Sequence, residues 1–156
     1  MISKITSPRT LNGTVRPPGD KSISHRASLL NSISTGVSHV SNFCVGDDRS
    51  SMLGCLRALG VNINKHTNCG ISKGDECFEI VGSGLHGLSE PTDVLNAGNS
   101  GTTMRLISGL LAGQDFFSVI TGDKSLRNRP MKRITCLLYT SDAADERSSV
   151  ALGGRR

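Results

Sequence analysis

Apolar residues recur along the chain at two spacings, and segments of the two kinds alternate. Short segments with strand-like patterns occupy residues 10–18 and 39–44, whereas longer segments with helical spacing occupy residues 19–34 and 46–60. Two prolines end the first strand. The second helix is expected to start at an aspartate cap and to end at Gly60.

The first predicted helix, GDKSISHRASLLNSIS, has a small apolar face. This face consists of Ile23, Ala27, Leu30 and Ile33. Ser22 is placed to act as the N-cap of the helix, and the segment STG ends it.

The second half of the chain continues the alternation and adds two neighbouring strands. VNINK and CFEIVG are typical strand segments on either side of a turn at HTNCG, so a hairpin or adjacent strands are predicted. A loop of small residues, a helix, the strand DFFSVITG and a basic loop follow. This order predicts a mixed α/β domain with helices packed on a sheet.

The segment LNAGNSGTTMRLISGLLAG, residues 95–113, joins a loop of small residues to a helix. The first N–H groups of a helix are unpaired and its N-terminus is partially positive, so such a loop is a ready anion site. Gly98 and Gly101 let a ligand approach the backbone, and Arg105 adds a cation one turn into the helix. A helix cap with a surface arginine is the alternative. Two hydroxyl donors and an apolar stripe that anchors the helix complete the pattern: Thr102 and Thr103, then Met104, Ile107, Leu110 and Leu111.

A second helix start of this kind lies in PPGDKSISHR. Lys21 and Ser22 are placed at a helix N-terminus, and Arg26 lies one turn further on, as in residues 95–113. The glycine spacing and residue order differ from those of a phosphate-binding P-loop. GDKS recurs at residues 122–125, but this copy precedes no clear helix, and its lysine is interpreted as solvated.

Composition narrows the classes of partner. No apolar run approaches the roughly 20 residues of a membrane span, and the N-terminal residues lack the apolar core of a signal peptide, so a cytoplasmic location is expected. The formal net charge of +5 is compatible with nucleic acid, but only 3% of residues are aromatic, and none is tryptophan. Small anionic ligands therefore fit better. The basic residues concentrate in LRNRPMKR, for which a solvated loop is the alternative: Arg127, Arg129, Lys132 and Arg133.

Other reactive side chains give weaker signals. The five cysteines form no C-x-x-C pair, so they suggest neither a disulfide framework nor a zinc site and are interpreted as free thiols. Asp47 and Asp48 are either a catalytic carboxylate pair or, as their place before a helix favours, capping groups. His25 is expected on the surface of its helix, with an orientation into a site as the alternative.

Three segments in register resemble one enzyme family: PPGDKSISHRASLL, LNAGNSGTTMRLISGLLAG and TGDKSLRNRPMKR. They are similar to the N-terminal part of the 5-enolpyruvylshikimate-3-phosphate synthases, over residues 10–135 and only the first part of the family's length. The UDP-N-acetylglucosamine enolpyruvyl transferases look less similar, because their cysteine loop has no counterpart in GDKSLRNRPMKR. An independent anion-binding domain without catalysis is the other alternative.

The resemblance implies an activity and an architecture. Family members transfer the enolpyruvyl group of phosphoenolpyruvate to the 5-hydroxyl of shikimate 3-phosphate in the shikimate pathway of aromatic amino-acid biosynthesis. They use no metal or organic cofactor, and glyphosate inhibits them. The implied fold is the inverse α/β architecture of repeated β-α-β-α-β-β units, incomplete here. The resemblance implies no nucleic-acid or membrane partner and a monomer at full length.

Carried over position by position, the resemblance also implies which residues contact the substrates. Lys21 is the implied catalytic residue and touches both of them. The residues implied to hold shikimate 3-phosphate are Ser22, Arg26 and Thr102; those implied for phosphoenolpyruvate are the Gly101 backbone and Arg129, with Asn99 and Arg105 shaping the loop and its charge.

The resemblance divides the chain into three parts. Residues 1–16 are expected to form a strand of a second, largely missing domain, and residues 17–135 part of the first substrate-binding domain. Residues 136–156 are expected to be a non-native or disordered tail. Because family members carry proton-transfer groups on the second domain, the isolated chain is expected to be inactive.

Overall fold

The computed structural model describes residue 10 and residues 12–15, 17–66 and 76–140. Helices and strands alternate through these ranges, as predicted for a mixed α/β domain. In chain order they are α1 (Lys21–Ser32), β1 (Thr35–Ser41), α2 (Asp47–Ala58), β2 (Asn62–His66), β3 (Cys77–Ser83), β4 (Leu95–Asn96), α3 (Gly101–Leu111), β5 (Ile120–Thr121), α4 (Lys124–Arg127) and α5 (Lys132–Thr140).

The described strands form two sheets. One is antiparallel with the order β1-β3-β2, so the predicted adjacency of β2 and β3 is confirmed; the end of their predicted turn lies outside the described residues. In the other sheet β4 and β5 are parallel, and α3 supplies the crossover that parallel strands need. The order α1-β1-α2-β2-β3, followed by β4-α3-β5-α4, resembles two successive β-α-β-α-β-β units with strands missing.

The core lies around α2. Met52, Leu56 and Leu59 are fully buried, and the rings of Phe43 and Phe78 meet edge to face with centroids 4.9 Å apart. On α3, Ile107 is fully buried, and Leu106, Leu110 and Leu111 pack partly buried against this core. The apolar anchor of α3 is thus confirmed for three of its four predicted residues, whereas Met104 is half-buried outside the cluster and Leu106 takes part.

The buried side of α1 is polar. Ser24, Ser28 and Ser32 are buried, and each hydroxyl donates to a carbonyl oxygen one turn earlier at 2.7 to 2.8 Å. These bonds satisfy the three hydroxyls within the helix, so burial leaves none of the serine donors unpaired. Two members of the predicted apolar face, Ile23 and Leu30, are instead 60% and 58% exposed.

Aspartate caps a helix in both copies of GDKS. A carboxylate oxygen of Asp20 accepts the Ile23 N–H at 2.7 Å, and one of Asp123 accepts the Leu126 N–H at the same distance. The prediction of Ser22 as N-cap is therefore wrong, because the N-cap is Asp20, two residues earlier, and Ser22 lies in the first turn of α1. The second copy does precede a helix, the single turn α4.

The start of α2 also differs from the prediction. Gly46 is the N-cap with φ at +127°, and no side chain caps the helix. Asp47 and Asp48 fall within the first turn, so a capping role for them is wrong. At the other end, Gly60 follows the helix with φ at +88°, as predicted for a terminating glycine.

The predicted strand at residues 10–18 is not seen in the described part of that segment. Residues 10, 12–15 and 17–18 have no strand partner, and Val15 is 86% exposed. A strand requires hydrogen bonds from a neighbour, and no neighbour is described here. Residues 1–9 lie outside the described residues.

Three other boundaries differ from the predictions. The strand expected at residues 39–44 ends at Ser41, because Asn42 has φ at +50° and turns Phe43 into the core. The strand expected in residues 115–122 is reduced to β5. Helix α5 replaces the end of the basic loop and continues through residues 136–140, the start of the expected tail; residues 141–156 lie outside the described part.

The cysteines differ in state. Cys77 is disulfide-bonded, so the prediction of five free thiols is wrong; the absence of a C-x-x-C pair excludes only closely spaced partners. Cys44, Cys55 and Cys136 are free, and burial raises the pKa of the Cys55 thiol to about 11. The described residues contain no group of three potential metal-binding side chains and no helix long and apolar enough to cross a membrane.

Candidate active site

A polar cleft of about 450 Å³ lies where the first turns of three helices meet. Each of α1, α2 and α3 contributes its first or second residue to the lining. Because each helix N-terminus is partially positive, all three favour an anion in this space. The lining residues are Lys21, Asp47, Asp48, Asn99, Gly101, Thr102, Arg105 and Arg129.

The cleft brings together most of the residues that the resemblance implies, but not all of them. Six line it: Lys21, Asn99, Gly101, Thr102, Arg105 and Arg129. Ser22 and Arg26 are exposed on α1 and are not among the lining residues. They lie four residues apart on one face of the helix, and their implied contacts to shikimate 3-phosphate stay a prediction.

The loop before α3 is held in shape by its own side chains. The Asn96 side-chain oxygen accepts the Gly98 N–H at 2.8 Å, and Gly98 has φ at +56°. Ser100 caps α3 by accepting the Thr103 N–H at 3.2 Å. Within the described chain no acceptor faces the N–H groups of Gly101 and Thr102, so these two donors are available to a ligand.

Gly101 allows two guanidinium groups to lie over the start of α3. A Cβ at this position would lie 2.9 Å from Nη1 of Arg105 and 3.4 Å from Nη1 of Arg129. Nε of Arg105 is buried without a partner among the described residues, and its Nη2 donates to the Pro130 carbonyl at a long 3.4 Å. Arg105 therefore has donor capacity that a bound anion can use.

A side-chain relay orients Arg129. Its guanidinium donates to the side-chain oxygen of Asn99, whose amide donates to the Asp123 carboxylate. The N–H of Leu126, first, and the Asn99 amide lower the pKa of Asp123, so this carboxylate stays ionised. Asp123 thus caps α4 and supports Arg129 through Asn99. The second GDKS copy was the sequence signal for this relay.

Lys21 forms an ion pair with Asp48 across the cleft. Burial by itself raises the pKa of Asp48, but hydrogen bonds from Lys21 and Ser100 outweigh it, so the pKa is lowered overall. Sequence reasoning gave Asp48 a capping role and missed this contact. The sequence signal for this contact was the pair of aspartates at a helix start, because such carboxylates can also form an ion pair with a cation from another helix.

Both charges of this ion pair act on His25. It is fully buried, so the predicted surface position is wrong, and neither ring nitrogen has a partner among the described residues. Burial, and then the charge of Lys21, lower the pKa of His25, while Asp48 opposes the shift. The imidazole is therefore neutral at physiological pH.

The arrangement suits one or two small anions. Three cations (Lys21, Arg105 and Arg129) face two carboxylates (Asp47 and Asp48), and free N–H groups of α3 add donors. Fixed cations and N–H dipoles of this kind bind phosphate or carboxylate groups and can also stabilise negative charge that develops in a transition state.

Comparisons with known proteins agree on one family. The family profile described as EPSP synthase (3-phosphoshikimate 1-carboxyvinyltransferase) matches residues 5–148, a range that takes in part of the expected tail. Two curated relatives carry the name 3-phosphoshikimate 1-carboxyvinyltransferase. The one from Roseiflexus castenholzii is 50% identical over 139 residues, which cover 88% of this chain and 30% of the relative. The one from Pelotomaculum thermopropionicum is 57% identical over 135 residues, which cover 86% of this chain and 30% of the relative.

The comparison with solved structures points to the same family as the sequence relatives. The structure titled EPSP synthase from Acinetobacter baumannii is 45% identical and superposes with a TM-score of 0.70, over 81% of this chain and 27% of that one. This likeness confirms the implied fold class. The chain spans about 30% of the length of these curated relatives.

Proposed function

Since the chain belongs to the EPSP synthase family, we propose that it supplies one part of an enzyme that transfers the enolpyruvyl group of phosphoenolpyruvate to shikimate 3-phosphate. The 5-hydroxyl of shikimate 3-phosphate is the acceptor, and inorganic phosphate leaves. The whole activity is assigned to a longer protein, because the chain matches about 30% of its relatives.

One observation carries this proposal: three helix N-termini and three cationic side chains converge on a single cleft. Both substrates are anions, and both have to be held side by side. We assign Lys21 to both substrates, and the Gly101 backbone and Arg129 to phosphoenolpyruvate. Asn99 and Arg105 shape the loop and its charge. Thr102, with Ser22 and Arg26 beside the cleft, is assigned to shikimate 3-phosphate.

The chemistry follows from these assignments. Addition of the hydroxyl to phosphoenolpyruvate and elimination of phosphate redistribute negative charge on the phosphate and carboxylate groups. The cations and free N–H groups of the cleft are fixed before the reaction, so they stabilise that charge with little reorganisation. Proton transfer requires further groups, which we assign to the part of the enzyme outside this chain.

It follows that the isolated chain does not catalyse the reaction. Binding alone does not accelerate a reaction unless the transition state is held more tightly than the ground state. Closure of a second domain would also exclude water and align the substrates. The proposal needs no metal, cofactor, nucleic acid or membrane; it places the full-length enzyme in the cytoplasm as a monomer.

A chimeric enzyme tests the proposal. Residues 1–134 of this chain, continued by the remainder of the Acinetobacter baumannii enzyme, should release phosphate when both substrates are supplied. Lys21→Ala should abolish this activity. Lys124→Ala should preserve it, because Lys124 is the lysine of the second GDKS copy, is exposed and does not line the cleft. A folded chimera without activity, or equal effects of the two substitutions, would contradict the proposal.

A further inference from the structure

The imidazole of His25 is an unusual polar group in this fold. Its side chain is fully buried, and both ring nitrogens lack a hydrogen-bond partner among the described residues. A buried donor or acceptor without a partner costs about 1–3 kcal/mol. Such a group calls for an explanation, since nearly all buried polar groups in native proteins are paired.

The surroundings of His25 connect it to the cleft. Lys21 lies four residues earlier on the same face of α1, and α1 packs against α2, which carries Asp48. Lys21 and Asp48 form the ion pair that lines the cleft, and the charges of both act on the imidazole. His25 is thus the buried neighbour of both members of this pair.

We propose that His25 is a positioning residue of the cleft: when a bound anion draws Lys21 away from Asp48, His25 donates a hydrogen bond to the Asp48 carboxylate and keeps it in place. This inference rests on the proposed function in one respect, namely that the cleft binds anions at Lys21.

The exchange of partners follows from the needs of Asp48. Without Lys21, the partly buried carboxylate would keep the Ser100 hydroxyl but would lose its cation. A carboxylate that is partly removed from water and lacks adequate donors is costly. The imidazole of His25 has no hydrogen-bond partner among the described residues, so it can donate to this carboxylate, and the new bond would also satisfy one of its ring nitrogens.

Electrostatics predict the direction in which the pKa of His25 changes when an anion binds. In the structure, burial and then the charge of Lys21 lower the pKa of His25, and Asp48 acts in the opposite direction. A bound anion neutralises Lys21 and leaves Asp48 unpaired, so the pKa of His25 rises on binding. The elements packed on α1 also carry titratable or charged residues: Asp47 and Arg49 on α2, His39 on β1, Glu79 on β3 and Arg105 on α3.

An NMR titration of the 156-residue chain tests the proposal with sulfate, an anion that does not titrate between about pH 5 and 8. Saturation with sulfate should raise the pKa of His25 by about one unit or more. The exposed side chains of His39 and His86 serve as internal references for the spectra. An unchanged His25 pKa would overturn the proposal.

The NMR signal of the Gly101 amide distinguishes a failure of this inference from a failure of the proposed function. If the Gly101 amide shifts with sulfate but the pKa of His25 does not, the cleft binds anions and only the role of His25 is wrong. If neither responds, anion binding fails, and the proposed function and this inference fail together. If the Gly101 amide and the pKa of His25 both respond to sulfate, the results support anion binding in the cleft and the role of His25.

Two substitutions exclude a purely structural role. His25→Leu should weaken sulfate binding about tenfold, because it removes the donor. His25→Asn keeps an N–H donor, so its affinity for sulfate should be within about threefold of that of the original chain. Because asparagine does not titrate, the affinity of this variant should lack the pH dependence that His25 gives to the original chain. If His25 merely fills space, leucine will bind sulfate as well as histidine does. Should the leucine variant fail to fold, the titration of the unaltered chain still decides.

Discussion

Substitution of Gly101 by alanine tests the proposed anion site at the start of α3. The residue begins α3 and does not have a positive φ, so its backbone accepts alanine without strain. The new methyl group would lie 2.9 Å from Nη1 of Arg105 and 3.4 Å from Nη1 of Arg129. Both neighbours are the ends of flexible side chains, so the arginines, and not the helix, are expected to move.

The size of the effect follows from what the methyl group displaces. It occupies the space through which a ligand reaches the free N–H groups of α3, and it moves two guanidinium groups off their positions. Loss of one charge-assisted hydrogen bond is worth about 1.5 kcal/mol, or about tenfold in affinity. The stability of the domain should change by less than about 1 kcal/mol, because alanine is the better helix former.

The chimeric enzyme described above provides the assay. Gly101→Ala should raise the KM for phosphoenolpyruvate about tenfold and weaken inhibition by glyphosate, which the proposed function expects to compete for this cleft. Gly109→Ala is the matched control, since it lies in the same helix with nothing within 4 Å of the added Cβ. The control should leave both kinetic values unchanged. Unchanged glyphosate inhibition in Gly101→Ala, or the same change in both variants, would refute the assignment of Gly101 to this pocket.

Further predictions concern a close backbone contact, a charged pair and a side-chain relay. Gly82→Ala should destabilise the chain by about 1–3 kcal/mol in thermal unfolding, because its Cβ would lie 2.3 Å from a backbone carbonyl oxygen just after α1; Gly54→Ala has open space and should not destabilise it. The lowered pKa of Asp48 means that its ionised form stabilises the fold. The advantage over Asp48→Asn should therefore be full above the ordinary carboxyl pKa of about 4 and vanish as the pH falls through the lowered value; denaturant unfolding that shows a constant difference would contradict this. Asp123→Ala should raise the KM for phosphoenolpyruvate several-fold by releasing Arg129 from its relay, and an unchanged KM would show that the relay has no role.

Much of the fold can be predicted from apolar spacing and from glycine. The end of α2 at Gly60 and the pairing of β2 with β3 follow from these signals, because apolar positions on these elements do enter the core. The orientation of α1 does not follow. Its buried serines satisfy their hydroxyls within the helix, a solution that a hydrophobic pattern cannot indicate. The end of β1 likewise depends on the left-handed conformation of one asparagine, Asn42.

The residues of the candidate site also fall into two groups, those whose place can be predicted from the sequence and those whose place cannot. Residues within one continuous motif, such as Gly101 and its helix, can be placed from the sequence because the geometry of a helix N-terminus is local. Asp48 and His25 cannot. Their environments arise where α1 packs on α2, and a charged side chain at a helix start looks the same whether it caps its own helix or pairs with Lys21 of another.

The three cations of the cleft are held in different ways, and this difference bears on how an anion is bound. Lys21 is paired with a carboxylate, and Arg129 is hydrogen-bonded to a neutral amide. Arg105 has a buried Nε without a partner among the described residues and one long bond to a carbonyl. An anion must compete with Asp48 for Lys21, but it can bind Arg105 and the free N–H groups of α3 without displacing a charge. Lys21 is therefore the cation whose contact with the ligand is coupled to a rearrangement, and its partner Asp48 is where that rearrangement has to be absorbed.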